Sequence, residues 1–250
     1  YPIGWRHPSL LRRDEVAEDL MAQSLLTEIQ DFCEEYKLPV PATIIGNSDP
    51  NVQQIKAMLY RAGNEIAIRG DWSALTFECT HTTLAQEDQG VIYTITAGTG
   101  NLTPFRKFRN ETMWDRTDQQ HVLPINPIKW QELKALTSVS PRFKYRLRNQ
   151  RLLFTPTPPA GHTVAFEWLS KWWIQDGTSG AIKERFDADT NSFLIEREIL
   201  KLGLTWRWKK AKGFDYAEEW QQVEDRIAET LAHDTPRGVL DMGQTRQTMK

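Results

Sequence analysis

Near the carboxyl end of the chain, apolar residues recur at helical spacing in two adjoining runs, residues 191–213 and 214–232, which meet at a glycine. At 100° per residue the first run carries two apolar stripes. Ile195, Ile199, Leu202 and Trp206 form one; Phe193, Leu200, Leu204 and Trp208 form the other, nearly opposite. A helix that only covers a core needs a single stripe. This helix is therefore expected to be sandwiched between its own domain and a second body, either another domain of the chain or another subunit. Phe193, Leu200, Leu204, Arg207 and Trp208 are the expected interface residues on that side. Leu202 and Trp206 are expected to be buried against the helices at the other end of the chain.

The second run has one stripe, made of Tyr216, Trp220, Val223, Ile227 and Leu231. Gly213 stands where a left-handed residue closes a helix, and Lys209, Lys210 and Lys212 place positive charge at the carboxyl end of its dipole. Asp215, with Glu218 three residues on, is a variant of the capping box. The two runs are thus expected to fold as an αα-hairpin.

In the amino-terminal part, Leu25, Ile29, Phe32, Cys33 and Tyr36 share one face of a helix over residues 22–36, which Pro39 and Pro41 stop. Asp49-Pro50 is an N-cap followed by proline at the first helical position. Val52, Ile55, Leu59, Ala62 and Ile66 continue that helix to Gly70. Between residues 71 and 189 the period falls to two, as in half-buried strands. The spacing predicts strands over 72–81, 107–116, 121–125, 143–147, 152–155 and 163–173, a short strand at 91–96 and a short helix from Asn126-Pro127. Residues 175–189 are polar and read as a long loop or arm.

The expected fold class is α+β: a four-helix bundle from N- and C-terminal helical hairpins with an inserted antiparallel β domain. Residues 1–70 supply one half of the bundle, 71–189 the β domain, 190–234 the second helical hairpin and 235–250 an extended tail. Residues 1–20 read as an extension ahead of a natural start at Met21.

Charge and chemistry narrow the function. The net charge of −2 supplies no global basic field for nucleic acid. Locally, basic and aromatic residues interleave around Arg106, Lys107 and Arg109, and again around Arg142, Lys144, Arg146 and Arg148. Such strands are either edges protected by cations or contacts for nucleic acid or an acidic partner. Cys33 and Cys79 lie in apolar patterns, as buried thiols do. No apolar run is long enough to span a bilayer.

The histidines, His7, His81, His121, His162 and His233, share no metal-binding spacing, and neither cysteine has a C-x-x-C partner. Gly98-Thr99-Gly100 lacks the third glycine of a dinucleotide loop. Glu87/Asp88 and Glu218/Glu219 are adjacent carboxylates, read as solvent and helix-dipole partners rather than as a glycosidase pair. No catalytic residue, metal ligand or cofactor is expected.

One ordered set of residues carries a resemblance. It runs from Asp49-Pro50 and Gly70-Asp71-Trp72 through Met113-Trp114-Asp115-Arg116, Trp130-Gln131-Glu132-Leu133, Phe154-Thr155-Pro156 and Phe166-Glu167-Trp168. It ends in Leu202-Gly203-Leu204-x-Trp206-Arg207-Trp208-Lys209-x-Ala211-x-Gly213-x-Asp215-Tyr216, its most specific part. Over residues 21–231 the chain resembles the head-to-tail adaptor proteins of tailed bacteriophages, relatives of the tail tubular protein A group. The resemblance implies a structural virion protein, assembled in the host bacterial cytoplasm, that forms a ring, usually of twelve copies. The ring docks beneath the portal, extends the channel for double-stranded DNA and meets a tail tube or nozzle below. Some members of that group are credited with peptidoglycan hydrolysis, but no motif in this chain carries it over, and no enzymatic activity is expected; a cell-wall hydrolase or another ring-forming head-completion or tail-tube protein is the alternative. In the tail, Val239, Leu240 and Met242 form a short apolar cluster near Pro236, between Arg237 and Arg246. That pattern is expected of a docking peptide for the portal or a neighbouring subunit.

Overall fold

The computed structural model describes residues 24–97, 100–109, 111–136 and 142–234. Within them the helical body begins with α1 (Leu25–Glu35), capped by the Ser24 hydroxyl, which accepts the Thr27 N–H at 3.2 Å. In α2 (Pro50–Arg69) the Asp49 carboxylate accepts the Asn51 N–H at 2.8 Å, and Val52, Ile55, Leu59, Ala62 and Ile66 are buried at the spacing the sequence predicts. α3 (Pro127–Ala135) belongs to the β-rich part, with Asn126 as its cap. α4 (Arg197–Lys212) closes at Gly213, whose φ of 80° is left-handed. There Phe214 N–H donates to Lys209 O (2.9 Å) and Gly213 N–H to Lys210 O (3.3 Å), the paired bonds of a Schellman motif. α5 (Ala217–Asp234) then folds back on α4, with Val223 and Ile227 buried.

These helices do not make a four-helix bundle; the fold is mixed α+β. The expected hairpin of α1 and α2 is absent, because their connection is held elsewhere. Ile44 and Ile45 N–H both donate to Asp189 Oδ1 (3.1 and 2.7 Å), and Leu25 N–H donates to Asn191 O at 2.7 Å. The segment expected as a polar arm is the missing wall of the helical core. It carries β13 (Ile182–Lys183) and links β12 (Ile174–Gln175) to β14 (Ser192–Phe193), a three-stranded sheet in the order β13-β12-β14. The Trp173 ring lies 5.6 Å from Phe186 and 5.8 Å from Phe193, and its Nε1–H donates to Asn64 Oδ1 at 2.8 Å. Strands of two residues leave no periodicity to read, so the pattern concealed this layer.

The assignment of stripes on α4 is corrected too. Ile199, Leu200, Leu204 and Trp208 are buried, whereas Leu202 and Trp206 are only half-buried. Trp208 packs against Phe32 (5.9 Å) and Tyr36 (4.7 Å), at the end of α1. Gly203 admits α2: a Cβ there would stand 3.3 Å from Ala62 Cβ. Leu200, Leu204, Arg207 and Trp208 are therefore covered by the chain's own helices, and Phe193 lies in the Trp173 cluster. Phe193 stays half-buried there, whereas the other four are buried within the chain itself. The helix is sandwiched as expected, but both layers come from one chain.

The β-rich part has a second core, drawn among others from Cys79, Phe105, Tyr145, Phe154, Phe166 and Trp168. One of its sheets has the order β1-β11-β6-β7, from β1 (Thr76–Thr82), β11 (Thr163–Ser170), β6 (Trp114–Asp115) and β7 (Gln120–His121), with β5 (Phe105–Phe108) also on β11. β1 and β11 pair antiparallel from Thr76↔Leu169 to Thr82↔Thr163. The other has the order β2-β10-β9-β8, from β2 (Asp88–Val91), β10 (Arg151–Thr155), β9 (Lys144–Arg148) and β8 (Leu123–Pro124). This part is not wholly antiparallel, since β8 and β9 run parallel with α3 in the connection between them. A two-stranded ribbon, β3 (Thr96–Ala97) with β4 (Gly100–Asn101), completes the strands; a 3-10 turn over Ile92–Thr94 replaces most of the strand expected at 91–96.

Candidate interaction surfaces

Polar chemistry in the described residues is mostly spent on structure. His162 Nδ1 is 2.9 Å from Asp115 Oδ2 and 3.6 Å from Asp118 Oδ2, a cluster of metal-ligating types that sequence spacing did not reveal. Asp115 is fully buried, and its other oxygen accepts the N–H groups of Thr117 (2.8 Å) and Asp118 (3.2 Å). Thr163 N–H donates to Thr117 Oγ1 at 2.9 Å. The group thus ties the β6–β7 turn to the start of β11. Burial holds His81 below the ordinary imidazole value, while its contact with Gln89 raises it. Burial pushes the Cys79 thiol up to about 11 and raises that of Cys33. The adjacent carboxylates of the sequence reading are engaged as well. Glu87 pairs with Lys134, Asp88 with Arg151 and Glu219 with Lys209.

The basic strands divide by role. Arg106 points inward and caps α2: its guanidinium donates to Ala67 O (2.9 Å), Gly70 O (3.0 Å) and Ile68 O (2.6 Å). Those carbonyls belong to a helix carboxyl end, where a cation is favoured. Lys107 pairs with Asp71 at 2.7 Å, and Arg109 lies 3.7 Å from Glu167. These three fasten the two parts of the chain or the strand itself. Lys144, Arg146 and Arg148 alternate along β9, and Arg142 stands exposed just before it. Arg146 joins Arg106 and Lys107 around an open cleft of about 410 Å³, with Pro124, Ile125, Tyr145 and Leu147 in its walls. Leu123, Leu147 and Ile128 stay exposed in the same β8–α3–β9 unit. The fold thus brings parts of two basic segments to one cleft, but not all seven residues.

A second surface lies at the tip of the αα-hairpin, within the most specific part of the resemblance. Trp206, Lys210, Asp215, Tyr216, Ala217 and Trp220 line an open groove of about 460 Å³. The Trp206 and Tyr216 rings are 6.0 Å apart, and Lys210 Nζ sits 5.8 Å from one centroid and 5.4 Å from the other. On the other flank of α4 Phe214 stacks on Trp208 at 6.1 Å, and it is 58% exposed. Arg207, between the two tryptophans in sequence, is buried. It donates to Gly203 O at 2.7 Å and pairs with Glu65, and burial lowers its pKa against the pull of that carboxylate. Aromatic side chains left open beside cations are the composition of protein-binding surfaces. The sequence holds the signal for this groove in Trp206 and Trp220, but helical periodicity places both on core stripes.

The tail residues Pro236, Arg237, Val239, Leu240, Met242 and Arg246 lie outside the described residues. Among the described residues no helix is long and apolar enough to cross a membrane. Compared with known proteins, the chain matches no family model and no curated protein.

Proposed function

We propose that this chain is a structural virion protein that joins phage head to tail. In this reading copies form a ring beneath the portal, extend the DNA channel and hold a tail tube or nozzle below. The observation that carries the reading is the pair of open apolar surfaces on different parts of the chain. The aromatic groove sits on the helical hairpin, and the basic, apolar cleft sits among the β-strands. An adaptor needs separate surfaces for separate neighbours, and exposed apolar patches of this kind mark protein contacts. The inward use of Arg106 and the ion pairs of Lys107 and Arg109 support a channel protein that lets DNA pass without gripping it. The twelvefold copy number, the virion location and the docking role of the tail belong to this proposal through the resemblance.

Mass photometry of the full chain, alone and with a purified portal ring, tests the reading. A discrete gain in portal mass that corresponds to a closed set of copies is the expected result. Turnover of peptidoglycan by the purified chain, or no mass gain on the portal, would overturn it.

A further inference from the structure

The two flanks of α4 are dressed differently at the hairpin tip. Trp206 and Trp208, two residues apart, project about 200° apart around the helix. The Trp208 flank is closed by Tyr36 (4.7 Å), and the chain then leaves α1 through Lys37 and Leu38-Pro39-Val40-Pro41, where each proline disposes the residue before it to extended backbone. Lys37, Pro39 and Val40 are exposed there, with Val40 49% open to solvent. Pro41, by contrast, is buried, and its carbonyl accepts from Gln30 Nε2 at 2.9 Å. The Trp206 flank is the open groove, walled by Trp206, Tyr216 and Trp220 and edged by Asp215. A proline-flanked extended segment is pre-shaped to lie in an aromatic-lined groove, because its ordering entropy is already low. Lys37 complements Asp215, which is exposed and lines the groove; the groove's own cation, Lys210, lies over the Trp206 and Tyr216 rings.

Within one chain the two features cannot meet, since the body of α4, roughly 10 Å across, lies between them. We propose that Pro39-Val40 of one copy docks in the Trp206–Tyr216–Trp220 groove of a second copy, with Lys37 beside Asp215. The contact joins two different patches of the chain. It is therefore heterologous, the kind that closes into a ring when its rotation allows. The inference rests on the ring reading and names the faces that would build it.

Two surface variants test it in the full chain. Val40→Asp spoils the inserted segment and Trp220→Ala spoils the groove; both positions are substantially exposed, so unchanged melting checks that each variant folds. In sedimentation velocity the wild type should self-associate as concentration rises, and each variant should associate at least ~10-fold more weakly, as loss of an interface aromatic does. A mixture of the two variants retains one intact contact and should stop at a dimer. Separately, Val40→Cys with Ala217→Cys should yield a ladder of disulfide-linked chains on oxidation, while either cysteine alone should not; the native Cys33 and Cys79 are buried and stay silent. A wild type that oligomerises while both variants do the same, with no ladder, overturns this contact and leaves the ring reading standing. Loss of portal docking in Trp220→Ala with normal docking and self-association in Val40→Asp assigns the groove to the portal and also overturns it. A wild type that stays monomeric, alone and with the portal, removes the ring reading and this contact together.

Discussion

Replacing Gly63 by alanine tests how the small sheet completes the helical core. Gly63 lies in the fourth turn of α2, against the Trp173 indole. A Cβ built there would fall 2.1, 2.3 and 2.4 Å from three ring carbons. Carbon atoms settle at about 3.5–4.0 Å, so the ring would have to move by more than an ångström. It is poorly placed to do so, with its Nε1–H on Asn64 and its faces and edges against Phe186 and Phe193. Overpacking of this kind costs about 1–3 kcal/mol, and loss of the indole hydrogen bond adds about 1 kcal/mol. Against these stands the helix-propensity gain of alanine over glycine, about 1 kcal/mol. The net expectation is a loss of about 2 kcal/mol, or a melting temperature lower by roughly 4–8 °C for a chain of this size. Urea denaturation and calorimetry of the single variant, of Trp173→Leu and of the double variant measure it. In the Trp173→Leu background the same alanine should be neutral or stabilising, since the obstructing ring is gone. A Gly63→Ala chain as stable as the wild type, with no coupling to position 173, would show that the indole does not bear on α2 as described.

Further outcomes follow from other contacts. Arg106→Ala should cost about 2–3 kcal/mol in denaturant titration, because three carbonyls at the end of α2 lose a charged donor; a loss under half a kilocalorie (roughly 0.5 kcal/mol, the surface norm) would refute the capping role. Glu65 is raised by burial, but Arg207 and Arg69 outweigh the burial and hold it below its ordinary value. Its stabilisation is therefore present above the unfolded glutamate value, about 4.3, and lost as pH falls through the lower folded value. Wild type should then lose stability between neutral and acid pH more steeply than Glu65→Gln, and parallel pH profiles would contradict this. Cys33 and Cys79 are buried with raised thiol pKa values, so a thiol reagent at pH 8 should label neither in the folded chain and both in denaturant; rapid native labelling of either would contradict its burial.

Local signals were written in the sequence where one residue type decides the backbone. Asp49-Pro50 starts α2, Asn126-Pro127 starts α3, and Gly213 ends α4, because caps, proline and a left-handed glycine act within one turn of chain. The β9–β10 hairpin was legible for a related reason: Asn149 favours the positive φ (50°) that opens its two-residue turn, and the strand pairing holds Gln150 at 59° beside it. The period of 3.6 located the buried face of α2, where one stripe meets one core.

Periodicity could not decide between two stripes on α4, because both are apolar and only the neighbours differ. Tertiary packing put Leu200, Leu204 and Trp208 against α1 and α2 and left Trp206 at an open groove. Nor could it see the layer that replaced the bundle, since Trp173, Phe186 and Phe193 come together through strands of two residues and loops anchored by Asp189 and Asn191. Charge was equally blind to direction. Arg106 and Arg146 look alike in their basic strands and both border one cleft, yet Arg106 spends its guanidinium on the carbonyls of a helix end. A sequence fixes what each residue can bond or bury; only the meeting of distant segments determines which carbonyl, ring or solvent it finds.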